Sequence, residues 1–326
     1  MTVSRVLNGQ ANVRQSKREA VILAVEELGY SPNKAARSLA SAKQIRIGLL
    51  YSNPSSTYLS AMLLGMLEQA RQSDTQIVVV ECAAGFDTDV IIKQLVKDGV
   101  NGIILAPPLC DSQQAFTTLI QNDMPAVTVG AKHGNAKIAS VCIDDHQAAV
   151  TLTRHLISLG HRRIGFLIGS AGQSSSSERL SGFRDAMRDA GLEVPPEWVV
   201  QGTYSYQSGL EAGEQLLSLE HPPTAIIASN DDMAAGVIAT AHRLNLDVPR
   251  DLSICGFDDT LMAEILWPAI TTIKQPISEM SKVAIDLLES LIKRGPAGSA
   301  DQCPHLEMEF SLIRRQSDGP VRKSPI

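Results

Sequence analysis

Thr2-Val3-Ser4-Arg5-Val6-Leu7-Asn8-Gly9 opens the chain, and its spacing sets how the rest is read. Val3, Val6 and Leu7 stand at i, i+3 and i+4, one apolar stripe of a short helix, and Asn8-Gly9 ends it. Lys17 to Leu28 repeats the pattern with Val21, Ala24, Val25 and Leu28, and Gly29 sits where a helix C-terminus favours glycine. Next comes Tyr30-Ser31-Pro32-Asn33-Lys34-Ala35-Ala36-Arg37-Ser38-Leu39-Ala40. Pro32 forces an extended entry and is tolerated at a helix start. Asn33–Ala40 has no apolar face wide enough to hold a helix alone, and short isolated helices are marginal in water.

Beyond Gln44 the pattern changes. Apolar, β-rich runs at Ile45–Tyr51, Gln76–Cys82, Val100–Ala106, Ala126–Gly130, Ser140–Ile143, Arg163–Gly169, Ala225–Ser229 and Ser253–Phe257 are separated by helical stretches such as Leu59–Arg71, Thr88–Lys97 and Ala148–Leu159. Buried strands alternating with helices predict parallel sheets covered on both faces. Eight or more strands exceed one small sheet. The predicted fold is therefore α/β, with two doubly wound lobes and a ligand site between them at the carboxyl ends of strands. Leu59–Arg71 carries Leu59, Met62, Leu63, Leu64, Met66 and Leu67, more apolar surface than one sheet covers, so its outer side is expected to meet another subunit.

Charge is unevenly placed. Residues 1–46 hold eight Lys/Arg against three Glu, a balance of +5, which leaves −11 for the remainder of a chain of net charge −6. A basic head on an acidic body suits phosphate contact at one end; a solvated helical face would give the same count. The five cysteines, Cys82, Cys110, Cys142, Cys255 and Cys303, lack metal-ligand or disulfide-framework spacing and read as small hydrophobes in a reducing compartment. The seven histidines are scattered, and no phosphate-cradling glycine loop, nucleophile–base pair or metal set occurs. No cofactor and no metal are expected. No signal peptide or membrane-spanning run is found, so a cytoplasmic location is expected.

The opening stretch, Tyr30–Ala40 and the alternating body together resemble the lactose-repressor (LacI/GalR) family of bacterial transcriptional regulators, from Thr2 to about Gln316. The resemblance implies a small all-α helix-turn-helix headpiece with a hinge helix, followed by two periplasmic-binding-protein-like lobes. The family has a first helix and turn ahead of Thr-Val-Ser-Arg-Val-Leu-Asn-Gly, and this sequence begins inside the second helix, so an upstream start of the native product is expected. Implied boundaries are 1–43 for the partial headpiece and hinge, 44–143 plus 276–308 for one lobe, and 144–275 plus 309–326 for the other, with three crossings near Ile143–Asp144, Thr272–Gln275 and Glu309. Multiple crossings make a hinge that closes on ligand.

The resemblance also implies site residues. Thr2, Ser4, Arg5 and Asn8 would face the major groove, with Tyr30, Asn33, Ala36 and Leu39 completing the DNA contact. Arg suits bidentate contact with a guanine edge or phosphate; the alternative role for Ser4 and Asn8 is helix capping. Leu39 would wedge between base pairs in the minor groove beside its copy from a second subunit; its bland alternative is packing on the core. Asn33–Ala40 would be helical only when docked. In the cleft the implied set is Arg179 in Ser-Glu-Arg-Leu-Ser-Gly-Phe, Asn230 in Ala-Ser-Asn-Asp-Asp-Met-Ala, Asp258 in Gly-Phe-Asp-Asp-Thr and Gln275 in Thr-Thr-Ile-Lys-Gln, with Tyr58 and Tyr204 as stacking partners. An arginine, amides and a carboxylate match a polyhydroxylated ligand. At least one Asp of Asp231-Asp232 and of Asp258-Asp259 is expected to cap a helix.

The sequence is read as a homodimeric, non-enzymatic, DNA-binding regulator, most simply a repressor, of a pseudo-palindromic operator, controlled by a small effector such as a sugar or sugar phosphate. The alternative is a receptor for a sugar, purine or nucleoside without effective DNA binding. An enzyme on a doubly wound fold is disfavoured by the missing phosphate loops.

Overall fold

The computed structural model describes Val6 and residues 14–27, 44–52, 55–82, 87–132, 135–295 and 303–322. Thr2, Ser4, Arg5, Asn8, Tyr30, Asn33, Ala36 and Leu39 lie outside them. The chain divides into two compact units, Met1–Gln44 and Ile45–Ile326. In the first, helix α1 spans Gln15–Glu27, Val6 is buried, and Ile22 and Leu23 are exposed.

The second unit runs β1 (Arg46–Tyr51), α2 (Ser56–Ser73), β2 (Gln76–Glu81), α3 (Thr88–Lys97), β3 (Gly102–Leu105), α4 (Gln113–Gln121), β4 (Ala126–Val129), β5 (Ala139–Cys142), α5 (Asp145–Ser158), β6 (Ile164–Ile168) and α6 (Ser174–Asp189). It continues with β7 (Val199–Gln201), α7 (Tyr206–Leu217), β8 (Ala225–Ala228), α8 (Asp231–Arg243), β9 (Ser253–Asp258), α9 (Leu261–Ile265), β10 (Thr271–Lys274), α10 (Ile277–Arg294), β11 (His305–Glu307) and β12 (Ser311–Ile313).

Two six-stranded sheets result, ordered β11-β5-β4-β3-β1-β2 and β12-β10-β9-β8-β6-β7. Their central strands β3, β4, β5 and β8 are buried at every residue, as parallel strands sandwiched between helices must be. β12 departs from the all-parallel expectation and pairs antiparallel with β10. The chain reaches it straight from β11, with no crossover helix to reverse its direction.

The chain passes between the sheets after β5, after β10 and after β11. α10 returns to pack on α2 and on β3, β4 and β5. A continuous core joins Ile47, Leu49, Met62 and Met66 to Phe166, Phe183, Phe257 and Ile273, and the rings of Phe166 and Phe183 stack 4.9 Å apart. Among the described residues, no helix is long and apolar enough to cross a membrane.

Candidate functional site

In both sheets the second strand in sequence lies on one side of the first and the third on the other. This reversal opens a crevice at the carboxyl ends of the strands. Residues just past those ends converge on one cavity: Ser55 and Tyr58 after β1, Pro107 after β3, Gly130 after β4, Gln173, Ser175 and Arg179 after β6, Tyr204 after β7, Asn230 after β8, Asp258 at the end of β9 and Gln275 after β10. All six ligand candidates of the sequence, Tyr58, Arg179, Tyr204, Asn230, Asp258 and Gln275, line it. The space between atoms is about 350 Å³, of which only about 30 Å³ admits the centre of a water-sized sphere. A larger cavity, in which about 500 Å³ admits the centre of such a sphere, lies elsewhere on the second lobe, bounded by the 220–224 loop and residues 320–322. Its Arg250 and Arg322 are already paired with Asp251.

Arg179 is the electrostatic centre. Its Nε donates to Asp145 Oδ1 at 2.7 Å and one terminal nitrogen donates to the Ser229 carbonyl at 2.5 Å. Its guanidinium lies 3.6 Å from the centroid of the Phe257 ring, and Asp258 stands 4.0 Å away. Burial works against its charge, but Asp145, Tyr204 and Asp258 outweigh that and hold it protonated. Asp145 is pushed above the usual carboxylate range by burial, against the pull of Arg179. Asp145 belongs to no motif of the sequence; its only signal is the position one residue past the Asp144 cap of α5.

Asp258 has φ +113°, and its Oδ1 accepts from Gln275 Nε2 at 2.6 Å. Burial raises its carboxyl well above the ordinary value, with Arg179 opposing. Tyr58 and Tyr204 are buried, and burial raises both phenols, so both stay neutral. The Tyr204 hydroxyl is 2.9 Å from Ser176 Oγ. Its ring rests directly against Gly169, where a Cβ would come within 2.0 Å of ring carbon Cζ. No residue larger than glycine leaves the ring that seat.

The helix caps differ from the expected aspartates. α8 is capped by Asn230, whose side-chain oxygen accepts from Met233 N at 2.9 Å, while its amide nitrogen donates to the Tyr204 carbonyl at 2.9 Å. Asp231 and Asp232 do not cap; they fall one and two residues inside the helix. Asp231 instead accepts from Thr260 N (2.7 Å), Thr260 Oγ1 (3.0 Å) and Thr272 Oγ1 (2.7 Å). Burial raises its carboxyl to about 7. Likewise the cap position of α9 is Thr260. Asp259 pairs with Arg315 at 2.6 Å and Lys274 at 3.4 Å, and Asp258 faces the cavity.

Residues 1–33 match the model of bacterial regulatory proteins of the lacI family, and residues 153–317 match a periplasmic binding protein-like domain. Catabolite control protein A of Priestia megaterium is 33% identical over 95% of this chain and 93% of its own length. The chain belongs to the lacI family of bacterial regulatory proteins. This LacI-family chain is also similar to the lac repressor dimer solved with operator and the anti-inducer ONPF, at TM-score 0.82 and 28% identity over 97% of this chain and 94% of that one. It resembles the transcriptional regulator CelR solved with cellobiose at TM-score 0.76 and 27% identity, over 96% and 94%. LacI-family regulators bind operator DNA as dimers and answer to small molecules, and this chain is such a DNA-binding regulator. The receptor without DNA function is thereby disfavoured.

Proposed function

We propose that the protein is a cytoplasmic, non-enzymatic repressor whose effector is a small neutral sugar held between the lobes by Tyr58, Arg179, Tyr204, Asn230, Asp258 and Gln275. The lobes comprise 44–143 plus 276–308 and 144–275 plus 309–326. The observation that carries the reading is the convergence of those six side chains on one cavity at the carboxyl ends of both sheets. Guanidinium, amide, carboxyl and phenol groups around one space read hydroxyls from several directions. CelR, a similar protein, was solved with cellobiose. A sugar phosphate is the poorer fit. The cationic side chain lining the cavity, Arg179, is already balanced by Asp145 and faces Asp258, and a dianion there would lack compensating charge.

The test is calorimetry with a panel of D-glucose, D-galactose, D-fructose, D-ribose, cellobiose and their phosphates. A sugar that binds wild type and loses about a hundredfold in affinity with Arg179→Lys supports the assignment, since lysine cannot reproduce the planar fork. Unchanged affinity overturns it. Arg179→Ala is the worse probe: it strands Asp145 buried and unpaired, a defect of about 3–5 kcal/mol.

At the other end we assign Thr2, Ser4, Arg5, Asn8, Tyr30, Asn33, Ala36 and Leu39 to operator contact, on the sequence resemblance alone. Leu39→Ala should reduce specific operator affinity at least tenfold while leaving binding to random duplex near wild type; equal loss on both DNAs removes Leu39 as a wedge. The subunit interface is assigned to the outer face of α2, where Leu64 and Leu67 are 69% and 55% exposed.

A further inference from the structure

Two carboxylates cross the cleft without lining it. α6 carries Arg179, yet Gln173 at its cap position makes no side-chain capping bond. The first-turn amide of Ser174 donates instead to Asp111 Oδ2 at 3.1 Å. Asp111 ends the single 3₁₀ turn Leu109–Asp111 that follows β3 in the first lobe. The second crossing runs the other way. Asp232 in the first turn of α8, a second-lobe helix, accepts through Oδ2 from Thr57 Oγ1 at 3.2 Å and from Ser55 Oγ. Ser55 both caps α2, by accepting from Tyr58 N, and donates to Asp232. Each lobe therefore supplies one acidic acceptor to groups at the start of a helix in the opposite lobe, where carboxylates are electrostatically favoured at helix N-termini. Their immediate neighbours Ser55, Gln173, Ser175 and Asn230 line the cavity, and the two aspartates do not.

We propose that Asp111 and Asp232 are positioning residues that latch the two lobes together and so set how much of the ligand-free protein is already closed. These bonds form only when the lobes meet. Loss of a hydrogen bond to a charged group shifts such an equilibrium by roughly tenfold or more. Apparent ligand affinity scales with the closed fraction. The affinity consequence rests on the cleft being the effector site; the closure itself does not.

The test is the distance between nitroxide labels on Lys93→Cys in α3 and Glu211→Cys in α7, measured by pulsed electron resonance on the full chain in a Cys303→Ser background with no sugar added. Wild type should give one dominant short distance. The double variant Asp111→Ala, Asp232→Ala, which removes both crossings and leaves every cavity side chain in place, should transfer most of the population to a longer distance. Asp111→Asn, whose amide oxygen still accepts from Ser174 N, should return toward wild type when it replaces Asp111→Ala in that pair. A double variant with wild-type distances and wild-type melting temperature overturns the latch. If the double variant melts early, the single variant Asp232→Ala decides: a longer-distance population supports the latch and an unchanged one overturns it. No sugar enters these measurements, so failure of the latch and failure of the ligand assignment are read separately.

Discussion

Asp231 shows how much a single side chain can be asked to do. It is buried, and it gathers the Thr260 amide and two threonine hydroxyls from β10 and the start of α9. Its folded value of about 7 lies above the ordinary 3.8. Between those values the folded chain holds the proton more tightly than the unfolded chain, so raising the pH through this window removes stability, and the loss is complete above about 7. Asp231 in turn helps to hold the Asp258 carboxyl above its ordinary value, after burial. Asp231→Asn removes this titration. The stability of wild type relative to the variant, from urea melts at each pH, should therefore fall by on the order of 2–4 kcal/mol from pH 4 to pH 7. A difference that stays flat, or rises, shows that Asp231 is ionised throughout. The run Asn230-Asp231-Asp232 also marks where sequence reading stops at this scale. All three residue types cap helices well, and only the backbone path shows that Asn230 is the one in extended conformation.

At the scale of elements, most of the architecture was legible. All eight apolar runs became strands, most of them because a strand buried on both faces must be apolar throughout, a signal that needs no neighbour to interpret; β2, at a sheet edge, is the exception, exposed or half-buried along its length. Helix faces were less legible, since a stripe does not name its partner. α2 shows this: Met62 and Met66 are buried and Leu64 and Leu67 exposed, and the buried side meets α10, which is distant in sequence. Gly65 is the contact point. A Cβ there would come within 2.3 Å of the Ser278 carbonyl oxygen, so Gly65→Ala must push the two helices apart. A loss of about 1–3 kcal/mol is expected from overpacking, read as a lowered midpoint in denaturant with unchanged slope. Wild-type stability in this variant contradicts the close crossing. The cavity was legible only through family motifs. Asp111 and Asp232, 121 positions apart, carry no mark that joins them.

For the molecule as a whole, two groups of neighbouring large apolar side chains stand out as exposed among the described residues of the second unit. One is Leu64 and Leu67 on α2; the other is Leu261, Ile265 and Trp267, the tryptophan 78% exposed. Contiguous exposed apolar groups of this kind mark association, and LacI-family regulators act as dimers. Leu64→Asp combined with Leu67→Asp should give a monomer at micromolar concentration in sedimentation velocity, with operator affinity reduced at least a hundredfold, because a two-fold operator needs both half-site readers. A dimer that survives both changes moves the interface off α2 and onto the Trp267 surface.

The order of the strands has a last consequence, for synthesis. α10, which covers the first sheet, is encoded after every strand of the second sheet except β12, and β12 closes the second sheet only at Ser311–Ile313. On the ribosome, neither lobe can bury its full core until almost the entire chain has emerged, so the usual sequence in which the first domain folds while the next is being made does not apply. A stop codon at Glu309 would remove fewer than twenty residues and still leave the second sheet without its last strand. The nascent protein spends nearly all of its translation time with α2 lacking the helix it packs against, and chaperone demand should fall on that uncovered surface rather than on the chain's end.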